Sequence, residues 1–344
     1  MRKINLILLL TILVVGVLAA CGGGETSESD GSNDSNDSKS TEAKVLKLAH
    51  TQAPSHPVHI SMEKFGELVE EKTDGAVSVE IFPSSQLGEE REYIESLQAG
   101  TLDMAKVSVN SLENFEDLYS IFSIPYLFAD MEHGERFMNS EHIEDLYNST
   151  ADLDIVGVTW YDAGGRNYYT RDTPIESPED MKGLVMRVQS SEILIETVET
   201  LGGSATPIDW DELYTAIQQG VVDGADNGIV AFTENNLGEV AKHFSFTEHV
   251  FSPDVLLMKK SILDDLTPEQ QEAVMEAAEE STAFHQESWE QEREEAIKTS
   301  EEAGVTIYYP DLEPFAEMLR PMKEKFAAEN EEIAEYISII EEMK

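Results

Sequence analysis

The first apolar stretch of the chain is Ile4 to Leu18, which lies behind Arg2 and Lys3 and ahead of Ala19-Ala20-Cys21. It is short for a membrane span, which needs about 20 apolar residues. A basic start, an apolar centre and small residues at the end predict a signal peptide over residues 1–20. Gly22 to Lys44 then contains no aromatic and no large aliphatic residue. Such a segment cannot bury enough apolar surface to offset the entropy of ordering. It reads as a solvated linker with a reach of about 25 Å as a flexible coil.

From Val45 the pattern alternates between two periods. Val45 to Ala49 reads as a strand, and His56 to Lys72 as a helix closed by Asp74-Gly75. Val77, Val79 and Ile81 alternate with polar residues, the period of two of a half-buried strand that stops at Pro83. Ser177-Pro178-Glu179-Asp180 and Asp209-Trp210-Asp211-Glu212 both have helix-start chemistry, with a capping side chain followed by acids in the first turn. Leu184 to Val188 reads as a strand, followed by a helix with Leu194, Val198 and Leu201 on one face. This alternation of strands and helices predicts an α/β fold. Thr267-Pro268-Glu269-Gln270 opens a segment, Glu269 to Ala303, that lacks glycine and proline, with Val274, Ala277, Phe284 and Ser288 near one stripe. As one helix it would run about 50 Å. It has no sustained heptads, so the pattern predicts a single helix laid across two lobes.

Charge narrows the partners. With 23 basic and 69 acidic residues the net charge is −46, and removing residues 1–20 deletes Arg2 and Lys3 and leaves 21 − 69 = −48. A surface this negative repels nucleic acid and anionic lipid. The only cysteine, Cys21, follows the apolar segment directly, so it reads as the lipidation site of a lipoprotein and not as a disulfide, catalytic or metal residue. The mature chain is then expected outside the cytoplasm, tethered to the cell membrane. His50, His56 and His59 fit no standard zinc spacing. The chain carries neither a phosphate-binding Gly-Lys-Ser/Thr loop nor a nucleophile elbow, and no cofactor is expected.

Arg187, in Leu184-Val185-Met186-Arg187-Val188, is a guanidinium in an apolar strand, where a cation is tolerated only with an anion and hydrogen bonds around it. Its planar fork can grip a ligand carboxylate bidentately, and one of the many acids could equally pair with it as a structural salt bridge. Arg166 in Gly164-Gly165-Arg166-Asn167 reads as a loop cation, Asn227 as a turn residue, and Trp210 as a core aromatic at a helix start.

These blocks together resemble the solute-binding proteins of tripartite ATP-independent periplasmic (TRAP) transporters. The likeness runs over 45–344 and rests on Phe65–Asp74, Val77–Gly88, Gly164-Gly165-Arg166, Pro178–Val188 and Thr206–Gly224. It implies a two-lobe periplasmic-binding-protein-like fold with a ligand cleft between the lobes and one long helix across both. Lobe I would be 45–164 plus 253–292, and lobe II 165–252 plus 293–344. By the same resemblance, Arg187 binds the ligand carboxylate and Arg166 and Asn227 contact ligand. Trp210 walls the cleft, and His50 and Glu89 contribute from the other lobe. The partners implied are a small organic acid and the membrane permease subunits. The stretches Met186–Gln189, Pro207–Trp210 and Pro253–Leu257 look closest to the branch that takes uronates and related sugar acids. Asp226 stands where a glutamate is often found, and Gly228 where an asparagine is frequent. A C4-dicarboxylate such as malate or succinate is the second expectation, and an extracytoplasmic hydrolase acting on acidic glycans the alternative from another class.

Overall fold

The computed structural model describes residues 43–344. The signal segment, Cys21 and the linker up to residue 42 lie outside the described residues. Eleven strands follow: β1 (Lys44–Ala49), β2 (Val77–Phe82), β3 (Met104–Ser108), β4 (Ile155–Tyr161), β5 (Gly165–Thr170), β6 (Val185–Val188), β7 (Ser204–Pro207), β8 (Gly224–Asn227), β9 (His243–Phe251), β10 (Asp254–Lys259) and β11 (Thr306–Tyr308). They form two sheets, ordered β2-β1-β3-β10-β4 and β11-β9-β5-β8-β6-β7. β1 runs parallel to β2 and β3, and β10 is antiparallel to β3 and β4. In the second sheet β6 is parallel to β7 and β8, and β5 is antiparallel to β8 and β9. The α/β reading therefore holds, with strands and connecting helices alternating as the two periods in the sequence require.

The chain passes between the sheets three times: across 162–164, across 252–253, and along the helix Pro268–Glu302 that leads to β11. The long helix opens as its sequence dictates, with Thr267 and Gln270 in a reciprocal capping box and Pro268 in the first turn. Its buried stripe differs from the expected one. Val274 and Ala277 are buried, but Phe284 is 38 % exposed, and the stripe continues through Ser281, Thr282, His285, Trp289, Ala296 and Ser300. The reason is that from Ser281 to His285 the helix packs through hydrogen bonds, between apolar contacts of Ala277 and Ala278 on one side and Trp289 on the other. Thr282 bonds Thr159 Oγ1 (2.6 Å) and donates to Trp160 O (2.9 Å), Ser281 pairs with Tyr161 (2.6 Å), and His285 reaches Ser61 (3.0 Å) and Asp162 O (2.8 Å).

A second difference lies before the helix Leu213–Gln219. Asp209 does not cap it; the helix begins later, with Glu212 at the cap position. Asp209 instead lies in the connection after β7, where it faces a cleft.

Candidate functional site

The strand order of the second sheet brings the candidate residues together. β8 lies between β5 and β6, so Asp226 and Asn227 on β8 fall between Arg166 on β5 and Arg187 on β6. Along β6, Met186 and Val188 join the core, and the alternation of a strand turns Arg187 to the opposite face. Trp210 follows β7, the outer neighbour of β6. Arg166, Arg187, Trp210 and Asn227 line one side of a cleft of ≈ 100 Å³. Glu89 and Glu90, at the start of the helix Glu90–Ala99, line it from the other sheet. His50 does not line the cleft. It is buried at the end of β1 with its Nε2 2.9 Å from His59 Nδ1, and the cleft-facing histidine is His56.

Among the described residues Arg187 is a buried cation without a counter-ion. It is 3 % exposed, its Nε donates to Ile208 O (2.7 Å), and its guanidinium sits 5.7 Å over the Trp210 ring. No carboxylate lies within ion-pair reach among the described residues, and Nη1 is buried with no hydrogen-bond partner. Burial pushes its pKa below the ordinary arginine value, yet an arginine stays charged. The structural salt bridge left open by the sequence is thus not formed by the described residues.

Arg166 is the opposite case. Its Nε and Nη2 grip Asp226 Oδ2 and Oδ1 (2.5 and 2.9 Å), Nη2 also donates to Asp226 O (2.9 Å), and Nη1 donates to Gln189 Oε1 (2.6 Å). Burial alone would raise the Asp226 carboxyl, but the Arg166 charge, with help from His249, holds it below the usual carboxylate range. His249 is in turn fixed by stacking on Tyr168 at 4.2 Å and 7°.

Asn227 turns its Oδ1 to the Gly228 N–H (2.8 Å), which leaves its Nδ2 donors without an acceptor among the described residues. Gly228 has a backbone reason to be glycine. A Cβ there would meet Ala163 O at 2.5 Å, because the end of β8 presses on the first inter-sheet crossing. Glu89 is half-buried with Oε1 unpartnered. Burial, with the nearby carboxylates Asp211, Glu90 and Asp209, pushes its pKa up to about 7.

Two further polar residues line the cleft, and a buried lysine behind it pairs with a lining carboxylate, none of them singled out in the sequence. Gln189 Nε2 donates across the cleft to Glu90 Oε2 (3.4 Å), and Asn114 Nδ2 donates to Ser190 O (2.5 Å). Lys106, fully buried, pairs with Asp254 Oδ2 (2.8 Å) and lies 3.6 Å from Glu90. Lys106 carried a usable signal, since Met104-Ala105-Lys106-Val107-Ser108 sets a cation in a strand as Leu184–Val188 does. The arrangement can hold a small polar anion, with one free guanidinium, an aromatic wall and neutral donors.

Residues 48–330 match the bacterial extracellular solute-binding proteins, family 7. Among solved structures, the chain is similar to a TRAP periplasmic solute-binding protein of Anaerococcus prevotii with bound D-glucuronate. The identity is 33 % and the TM-score 0.85, covering 87 % of this chain and 98 % of that one. It is also similar to one of Sulfitobacter sp. with bound β-D-galacturonate, at 32 % identity and TM-score 0.84, covering 86 % and 99 %. The C4-dicarboxylate-binding periplasmic protein DctP of Rhodobacter capsulatus is 31 % identical over 83 % of this chain and 87 % of its own length. Two sheets joined at three crossings, a long helix and a cleft built around a lone guanidinium agree with these matches, and the chain belongs to family 7 of the bacterial extracellular solute-binding proteins, the solute-binding proteins of TRAP transporters.

Proposed function

We propose that this solute-binding protein captures a uronate or a closely related sugar acid and delivers it to the TRAP permease subunits. The observation that carries the reading is Arg187. A buried guanidinium with an unpartnered Nη1 is costly unless an anion joins it, and a ligand carboxylate supplies that anion with two parallel hydrogen bonds. Trp210 offers a flat face to the apolar side of a sugar ring, and Asn227 Nδ2 and Glu89 offer polar contacts to hydroxyls. The uronates held by two of the similar structures favour the same ligand class. Arg166, Asn227, Trp210 and Glu89 are proposed as ligand-facing residues on their place around the cleft. His50 is proposed to act behind it, through the position of the first strand's end.

Calorimetry of the mature protein with D-glucuronate and D-galacturonate tests this. Stoichiometric binding without turnover is expected, and absence of binding to both acids overturns the reading. Turnover of an acidic glycan would instead favour the hydrolase alternative. Affinity is expected to be higher at pH 6 than at pH 8. Glu89, with its pKa raised to about 7, is protonated below that value and adds a negative charge beside the ligand above it, while the ligand carboxylate stays ionised throughout. Equal affinity at the two pH values in wild type would show that Glu89 does not face the ligand.

We also propose that Cys21 carries lipid and tethers the protein to the outer side of the cell membrane. Cys21→Ser is expected to leave a folded protein that no longer fractionates with membranes. Retention of the variant, together with absence of metabolic lipid label on the wild type, overturns it.

A further inference from the structure

A second cavity, of ≈ 240 Å³, adjoins the first inter-sheet crossing and shares no lining residue with the cleft. The chain divides itself between the two as it crosses. Ala163 and Arg166 line the cleft, whereas Asp162, Gly164, Gly165 and Asn167 line the second cavity. The other walls come from the helix Met131–Met138, from β9, from the helix Ile229–Glu234 and from the long helix. An occupant therefore touches elements on both sides of the crossing.

Asp162 is the residue that these surroundings leave incomplete. It is 4 % exposed, its Oδ1 accepts from the Gly164 N–H (2.7 Å), and its second oxygen has neither a hydrogen-bond partner nor a cation within ion-pair reach among the described residues. Burial above all, with Glu135 near it, pushes this carboxyl up to about 7. At pH 8 it is thus an ionised, unpaired group, and a cation with N–H donors would complete it. Arg293 on the same wall does not. It stands between Glu290 (3.4 Å) and Glu248 (3.8 Å), with its guanidinium 5.6 Å over the Phe246 ring. Asp162, Glu135, Glu248 and Glu290 leave the cavity with four acids against this one base. Trp289, Phe246 and Val230 make the surface between them apolar. That combination suits an organic cation, which can bury its carbon body against the rings while its charge meets the acids. It does not suit a metal ion, for which no cluster of three ligating side chains is formed among the described residues.

We propose that this cavity is a second ligand site, for a small organic ammonium ion whose N–H donors meet Asp162 and whose apolar body lies along Trp289 and Phe246. The cavity is open in a structure whose cleft is bridged, by Asn114 Nδ2 to Ser190 O (2.5 Å), Gln189 Nε2 to Glu90 Oε2 (3.4 Å) and Ser55 Oγ to Glu234 Oε2 (2.6 Å). A ligand that fits the cavity as formed favours that bridged state. Ammonium and sugar acid then strengthen each other's binding by the same factor. This coupling, unlike the site itself, rests on the reading of the protein as a sugar-acid binder.

The test is an amide chemical-shift titration of the isotope-labelled full mature chain at pH 8 with 2-phenylethylammonium. The controls are 2-phenylethanol, its uncharged counterpart, and sodium chloride at equal concentration. The ammonium is expected to shift amides of residues 164–167 and 286–293 saturably, and the controls are not. Asp162→Asn keeps an acceptor for the Gly164 N–H and removes the charge, so a loss of about tenfold or more in ammonium affinity is expected. Glu135→Gln is expected to lose about threefold or more, and it serves if Asp162→Asn fails to fold. Glu301→Gln, at an exposed acid outside the cavity, is expected to change nothing. Saturation with D-glucuronate is expected to tighten the ammonium by about threefold or more. No saturable shift at the cavity, equal shifts with 2-phenylethanol, or unchanged affinity in a folded Asp162→Asn overturns the site. A loss in Glu301→Gln as large as in Glu135→Gln also overturns it, because the acidic surface as a whole would then be the attractant. Equal ammonium affinity with and without glucuronate, in a chain that binds glucuronate, overturns the coupling. A chain that binds the ammonium and not glucuronate overturns the functional reading and leaves the site standing.

Discussion

Arg187→Ala is expected to lose at least a hundredfold in affinity for the cognate acid, about 2.7 kcal/mol, while the unliganded protein keeps or gains stability. The two halves of this expectation come from one fact. Among the described residues Arg187 makes a single hydrogen bond, to Ile208 O, and no ion pair. Truncation therefore strands no carboxylate, and it removes a buried charge whose desolvation is offset only by that hydrogen bond and the Trp210 ring. In the complex the same truncation leaves the ligand carboxylate buried beside Trp210 with no fork to hold it, a loss that typically costs 2–5 kcal/mol or more. Arg187→Lys separates charge from geometry. It keeps the positive charge and loses the planar fork, so a loss of at least tenfold, about 1.4 kcal/mol, is expected. Calorimetry gives the affinities and thermal unfolding of the unliganded variants gives the stabilities. A structural salt bridge would show the reverse, with unchanged affinity and a lower unfolding temperature.

The behaviour of Arg187 also shows what a sequence can and cannot reveal about a site like this. A cation inside an apolar strand is visible in Leu184–Val188, and the same signal is present in Met104–Ser108 around Lys106. What separates the two is whether a carboxylate reaches the charge. Asp254, the partner of Lys106, is 148 residues away in the chain, and it arrives only because β10 lies antiparallel to β3. Asp226 reaches Arg166 for the same kind of reason, through the pairing of β5 with β8. Local elements were legible because their causes are local. The capping box at Thr267, the alternation at Val77, Val79 and Ile81 and the absence of breakers from Glu269 to Ala303 each act within a few residues. The later start of the helix after Asp209 was not legible, because that segment serves the cleft wall in place of a helix cap. The middle of the long helix's buried stripe was not legible for a related reason: hydrophobicity marks apolar faces such as Val274 and Ala277, and from Ser281 to His285 the face is held by hydroxyls and an imidazole.

That polar face makes the long helix sensitive to a single backbone change. Ala283 is exposed on Pro268–Glu302, so a substitution there disturbs no side-chain packing and tests the backbone alone. Proline at this position removes one i to i−4 hydrogen bond and clashes with the preceding turn, at a cost of about 3 kcal/mol or more. The kink falls in the turn that ends at residue 283, next to Thr282, bonded to Thr159 and Trp160 O, and ahead of His285, bonded to Ser61 and to Asp162 O at the first inter-sheet crossing. Further along, Ser300 pairs with Thr233 (2.8 Å), on the short helix that follows β8 in the second sheet. Hydrogen bonds to the first sheet and to the helix that follows β8 thus depend on one straight helix, and a bend cannot satisfy both sets at once. Ala283→Pro is expected to lower the unfolding temperature by several degrees or more and to raise amide exchange in β4 and in the helix Ile229–Glu234 together. Ala283→Gly, which costs only about 1 kcal/mol through backbone entropy, is expected to shift the midpoint far less and leave the exchange pattern unchanged. Exchange that rises only within a turn or two of residue 283 in the proline variant would show that the helix lies on the two sheets without tying them together.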